Sequence, residues 1–280
     1  MIVEASLLKR RRKTRMPQYA LRVSGLLYVG LMILVPLLVI LQYGLRQGFS
    51  ELIHQINLPI ARHAIFLTLW TSTLMTVINA IMGLATAYTL VRFEFPGKRL
   101  LNAVIDLPLS IPTLVTGVML VMLYGPQEVI GRFLLEKFNL QIIFATPGII
   151  LSLLFISFPF VVRNIQPVLQ DLDQTQERAA ATLGANNWSI FRKVVLPALV
   201  PPMLSGALLS FSRAVGEFGA VVIVAGNIPL KTQTGAVYVL GAVESENRLG
   251  ASAVSLALIG IAFIILALAN LIHNLWGAHK

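Results

Sequence analysis

The sequence predicts an all-α integral membrane protein with six transmembrane helices. Three observations predict it: a composition too apolar for a water-facing surface, six apolar runs of bilayer length, and a one-sided distribution of lysine and arginine. Of the 280 residues, 56% are hydrophobic and only 12% are charged, and the mean hydropathy is +0.80. A soluble domain carries about 25% charged residues. A chain with half that cannot clothe its exterior in ionic groups, so most of its surface must face lipid. Cysteine is absent, which rules out disulfides, thiolate catalysis, iron–sulfur clusters and cysteine-based zinc sites within this sequence.

A helix needs about 20 apolar residues to cross a bilayer. Six runs meet that length, at 23–43, 64–91, 100–125, 145–163, 200–226 and 251–276. The first is too long for a signal-peptide core and lacks an A-x-A site after it, so it reads as a retained helix. The second, third, fifth and sixth are long and continuous. The fourth, with Pro147 near its start and Pro159 inside it, is the weakest. Pro159 is expected to kink it, because proline removes a donor and clashes with the preceding turn.

The basic residues fix the expected orientation, since cytoplasmic loops of membrane proteins are enriched in Lys and Arg. With the amino terminus inside, fifteen basic residues fall on the inner side and six on the outer side. Both termini are therefore expected in the cytoplasm. The net charge of +10 follows from this asymmetry. The run KRRRKTR at 9–15 reads as a topology anchor on anionic lipid rather than a nucleic-acid arm. Residues 1–22 then form a basic cytoplasmic extension, and 23–276 the transmembrane domain. The outer loops, nearly neutral, offer no electrostatic funnel for an anion.

The most informative stretch is the inner loop between the fourth and fifth spans, at about 164–199. Pro167 begins it. Residues 171–183 have helical propensity, with acids early and alanines later. Gly184 stops that helix in the manner of a residue tolerant of left-handed geometry. Trp188, Phe191, Val194 and Val195 recur at helical spacing beyond it, and Pro197 starts the next span. The alanines Ala179, Ala180 and Ala181 are expected to let another surface come close. Such a helix could rest on lipid or dock a partner. It lacks the basic polar face of a lipid-surface helix, which favours docking.

At this loop the chain resembles the permease subunits of ATP-binding-cassette (ABC) importers, which carry E-A-A-x-x-x-G, nine residues, then I-x-L-P. Ala179, Ala180 and Gly184 match; Val194 takes the Ile position, and Leu196 and Pro197 fall in register. The Glu position holds Arg178, with Glu177 one residue earlier, and one residue turns a helical side chain by about 100°. The segments DLPLSIPTLVTG (106–117) and LSFSRAVGEFGAVVIVAGNIP (209–229) further resemble the oxyanion branch, the sulfate/thiosulfate and molybdate permeases. Length, span count and basic extension look more like the T-type subunit of sulfate importers than the shorter molybdate permeases.

The resemblance implies the type I ABC importer permease architecture, with 164–199 as the ATPase-coupling loop through Glu177, Arg178, Ala179, Ala180, Gly184, Leu196 and Pro197. It implies a pair of ATPase subunits that bind the ATP, a second permease of the W type, an external sulfate- or thiosulfate-binding protein, and an inner-membrane location. Molybdate or tungstate is the alternative cargo.

Few charges fall inside the spans. Asp106 and Arg163 sit near expected inner ends and read as helix-end charges. Arg213 and Glu217 lie mid-span, where charge is costly and marks a pathway or a buried pair. Their i, i+4 spacing allows a salt bridge on one face. In the alternative reading Arg213 offers positive potential to a passing dianion while Glu217 keeps it from binding too tightly. Gly216 and Gly219 would let a neighbouring helix approach closely. Ser110, Thr113 and Thr116 offer hydroxyl donors to an oxyanion, although such hydroxyls often bond their own backbone.

Other chemistry finds no foothold. GNIPLKT (226–232) resembles a phosphate-binding loop, but Leu230 stands where its second glycine belongs. There is no H-E-x-x-H pair and no G-x-S-x-G turn. No catalytic, metal or cofactor residues are expected, and no nucleic-acid partner. A gradient-driven transporter is the remaining rival; it would leave the long inner loop unexplained, and the chain shows neither an internal repeat nor several midplane carboxylates.

Overall fold

The computed structural model describes the backbone of residues 15–277 and the side chains of 19–267. Most of the basic run 9–15, together with Lys280, lies outside the described residues. Among them the chain is helical throughout, with no strand.

Helix α1 (Arg15–Leu45) carries Pro36 in its interior. None of its apolar window is buried, and it lies on the outside of the bundle against the last helix. A left-handed Gly48 precedes the short amphipathic α2 (Phe49–Asn57). Pro59 at the first turn then starts α3 (Pro59–Arg92), 34 residues long. Proline suits that position because the first turn leaves its N–H groups unpaired.

The third expected span is not one helix. It is α4 (Lys98–Ser110) and α5 (Thr113–Tyr124), bent by 113°. The break falls at Ile111, extended at φ −86° and ψ 129°, because the residue before Pro112 is pushed out of the helical region. Among the described residues five helices are long and apolar enough to cross a membrane, or six where this bent pair is taken as one broken span. Helix α6 (Val129–Phe138) follows.

The fourth span runs further than expected. Helix α7 (Thr146–Asp171) continues unbroken through Pro159 and Pro167, with buried residues along its length from Gly148 to Leu169. Beyond it come α8 (Gln174–Thr182), α9 (Asn187–Ile190), a π-helical turn (Phe191–Val195) and α10 (Leu196–Val215). The fifth expected span is also divided: α10 ends at Gly216, and α11 (Gly219–Ala225) begins afresh. Residues 235–244, expected in an outer loop, form the apolar helix α12 (Gly235–Glu244). Its first N–H donates to Thr68 Oγ1 of α3 at 2.8 Å. The last helix is α13 (Arg248–Gly277).

Helices α3, α7 and α10 form the centre of the bundle. Val161 is fully buried between them. A Cβ at Gly83 would stand 2.7 Å from its Cγ1, and one at Gly206 would stand 2.9 Å from its Cα. Two glycines thus let three backbones close around one valine, the small-residue packing expected where lipid competes for every apolar face. Hydroxyls in this core mostly bond their own helix: Thr71 donates to the Leu67 carbonyl at 2.7 Å and Ser152 to that of Ile149 at 2.8 Å.

Candidate functional site

Two regions gather the residues singled out above. One is the segment 172–195 at the end of the bundle that also carries Arg92, Lys98, Arg99 and Arg163. The other is the pair of helix breaks at residues 111–112 and 216–218.

The segment is built from local signals. Asp173 caps α8 by accepting from the Thr175 N–H at 2.8 Å. This bond, with the contribution of the Thr175 hydroxyl, holds the Asp173 carboxyl below its ordinary value. Helix α8 ends in a Schellman motif: the Gly184 N–H reaches the Ala181 carbonyl at 3.0 Å and the Ala185 N–H that of Ala180 at 3.1 Å. Gly184 takes φ +84°, the left-handed geometry its position in the sequence predicted. Asn186 then caps α9 through the Ser189 N–H at 2.8 Å. The π turn ends where the Leu196 N–H reaches back to the Phe191 carbonyl, immediately before Pro197, which has no N–H to offer.

The segment is tied to the bundle at two places. Glu177 is ion-paired to Arg92, the last residue of α3, with both side chains largely buried. Trp188 stacks on Phe191 at 5.7 Å, and Phe191 packs edge-on against Tyr88 of α3 at 5.4 Å. Ile190 and Val195 enter the core cluster formed with Leu90, Val162, Ile165 and Leu169. Of the three alanines expected on the open side, Ala180 instead packs against this core, while Ala179 and Ala181 are exposed. Arg178 is exposed, Leu183 is 88% exposed and Trp188 67%.

Asp106 and Arg163 are more than helix-end charges. Arg163 grips Asp106 with two bonds, at 2.7 and 2.6 Å, and adds Asn102 Oδ1 at 2.8 Å, the Asn102 carbonyl at 2.7 Å and Gln166 Oε1 at 2.5 Å. A planar fork satisfied this fully fixes orientation as well as distance. It locks α4 to α7. The sequence hid it because the partners lie about sixty positions apart and only folding brings them together.

At the second region Arg213 and Glu217 form the i, i+4 ion pair at 2.6 Å, with the Glu217 side chain 2% exposed and that of Arg213 36%. Glu217 also accepts from the Ala220 N–H at 3.0 Å, capping α11. Of the flanking glycines, Gly219 makes the close approach: a Cβ there would fall 2.1 Å from Thr113 Oγ1. Gly216 meets only the Ser212 carbonyl, at 4.0 Å. The two breaks are therefore neighbours, with the first turn of α5 seated on the first turn of α11. Ser110 is exposed, Thr113 half-buried, and Thr116 buried with no partner for its hydroxyl. Among the described residues no cluster of His, Asp and Glu could hold a metal.

The fold is that of the membrane-spanning subunits of ABC importers. It is similar to a solved structure of a bacterial ABC transporter that imports alginate, with a TM-score of 0.77 at 17% identity, covering 95% of this chain and 98% of that one. The chain belongs to the inner membrane components of binding-protein-dependent transport systems, whose family description matches residues 79–276. It is 39% identical over 258 residues to a probable sulfate transport system permease protein of the T type from Nephroselmis olivacea, covering 92% of this chain and 90% of that protein. It is 40% identical over 260 residues to the W-type sulfate permease of Synechococcus elongatus, covering 93% and 90%.

Proposed function

We propose that this protein is a membrane permease subunit of an ATP-driven importer of sulfate, with thiosulfate as a second cargo, and that residues 172–195 receive the stroke of a separate ATPase. The observation that carries the reading is the build of that segment. It is a capped helix with a left-handed glycine stop, exposed at Arg178, Ala179 and Leu183, yet pinned to α3 through Glu177 and through the aromatic stack behind Trp188. A flexible loop would dissipate a push, whereas a pinned helix hands it to α3 and α7.

The basic end of the bundle would face the cytoplasm, with both termini on that side, as the Lys and Arg distribution favours. An external sulfate-binding protein would deliver cargo to the opposite end. A W-type permease would complete the pathway, and the protein itself would perform no covalent chemistry. At the helix breaks Arg213 would lend positive potential to the passing dianion. Glu217 would keep that attraction weak enough for release, since a carrier must let go of what it binds.

Proteoliposomes test this. Sulfate uptake is expected to require the ATPase, the second permease, the binding protein and ATP, and to be indifferent to proton and sodium gradients. Uptake driven by a gradient without the ATPase would overturn the reading, and a preference for molybdate over sulfate would reassign the cargo.

A further inference from the structure

Helix α8 turns one stripe inward and another outward. Glu177 and Ala180, three positions apart, face the bundle, one on Arg92 and the other on the core. At about 100° per residue the opposite face consists of Thr175, Arg178, Ala179 and Thr182. Thr175, Arg178, Ala179 and Thr182 are all exposed. A single long cationic side chain thus rises from a face of small ones. The carboxylate beside it in sequence is already engaged within the chain. Asp173 accepts from the Thr175 N–H and lies close enough to feel the Arg178 charge across solvent, but among the described residues Arg178 forms no ion pair with it or with any other carboxylate. Among the described residues the one side-chain hydrogen bond of Arg178 is to Gln174 Oε1, at a long 3.4 Å.

Resting on the docking role proposed above, we infer that Arg178 sets the partner: the ATPase surface that receives α8 carries a carboxylate opposite it. A guanidinium is costly to strip of water unless its donors are met. Its planar fork is matched best by a carboxylate, which takes two bonds at once. The neighbouring anchors Leu183 and Trp188, 88% and 67% exposed, give the same surface apolar contacts to bury around that charge. An ATPase built to receive a glutamate at this position, with a basic residue in its groove, would be repelled.

The test is co-purification of this permease in detergent with the ATPase subunit of its own transport system, with uptake measured in parallel. Arg178→Glu is expected to lower ATPase retention at least about tenfold, and Arg178→Lys to keep most of it. A carboxylate-to-arginine change in the ATPase groove is expected to restore retention by Arg178→Glu. Because Arg178 is exposed, membrane insertion and melting temperature should not change in either variant. Retention and uptake by Arg178→Glu equal to wild type overturn the inference. If Leu183→Asp releases the ATPase while Arg178→Glu does not, docking stands and only the charge assignment falls. If the wild-type chain retains no ATPase, the docking role and the inference fall together.

Discussion

Glu177 and Arg92, 85 positions apart, are joined as a largely buried ion pair, and this joins the exposed helix α8 to the end of the long helix α3. Removing one member leaves the other with an unmet charge, at about 1–3 kcal/mol. Arg92→Ala and Glu177→Gln are therefore each expected to loosen α8, read as faster amide exchange over 174–182. ATP hydrolysis in the assembled transporter should persist while uptake falls. The exchanged pair, Arg92→Glu with Glu177→Arg, should recover most of the protection. Unchanged exchange in both single variants would show that the pair holds nothing.

Gly184 gives a second prediction, because its two possible demands can be separated. No atom lies within 4 Å of where its Cβ would be, so space is not what excludes a side chain. The left-handed φ of +84° is, at a cost of about 1–2 kcal/mol for most residues. Gly184→Val should uncouple uptake from ATP hydrolysis with normal membrane insertion, whereas Gly184→Asn, at ease in that region, should couple nearly as well as wild type. Equal loss in both would mean that an unoccupied surface, rather than the turn, is what function needs.

The legibility of the sequence follows how local each cause is. Apolar runs placed the membrane helices, and Gly184 and the pair Arg213–Glu217 were readable because their partners lie within one or two turns. Ile111–Pro112 was equally local, yet hydropathy averages across a break and merged α4 with α5. Helix α12 was hidden for a related reason: ten residues are too few for a span, and its burial against α3 depends on Thr68, 167 positions away. The Arg163 network and the inward turn of Glu177 depend on residues from other helices, and no spacing rule reaches them. For the same reason Ala180 looks in the sequence like Ala179 and Ala181, although the packing of α8 separates it from them.

The junction of the two helix breaks supplies a third prediction. An alanine at Gly219 would place its Cβ 2.1 Å from Thr113 Oγ1 and 3.1 Å from Thr113 Cβ. Helices α5 and α11 would have to separate, and overpacking of this kind costs about 1–3 kcal/mol. Gly219→Ala should lower the melting temperature in detergent, and adding Thr113→Ala, which deletes the nearest atom, should recover most of the loss. Thr113→Ala alone should be close to neutral. No recovery in the double variant would place the strain elsewhere in the junction.

Arg213 and Glu217 permit a test that separates structure from transport. Glu217 is buried and meets both Arg213 at 2.6 Å and the Ala220 N–H at 3.0 Å. Arg213→Ala strands that carboxylate in a low-dielectric site, a loss of about 3–5 kcal/mol, and should yield little folded protein. Combining it with Glu217→Gln removes the stranded charge while an amide oxygen still accepts from Ala220. The double variant should therefore return to near wild-type stability. Its sulfate uptake should nevertheless fall at least tenfold at saturating binding protein, because the positive potential at the break has gone and neutral side chains do not replace it. ATPase-coupled opening, followed by a spectroscopic probe across α5 and α11, should be retained. A double variant that folds and transports like wild type would confine both residues to holding the helix together.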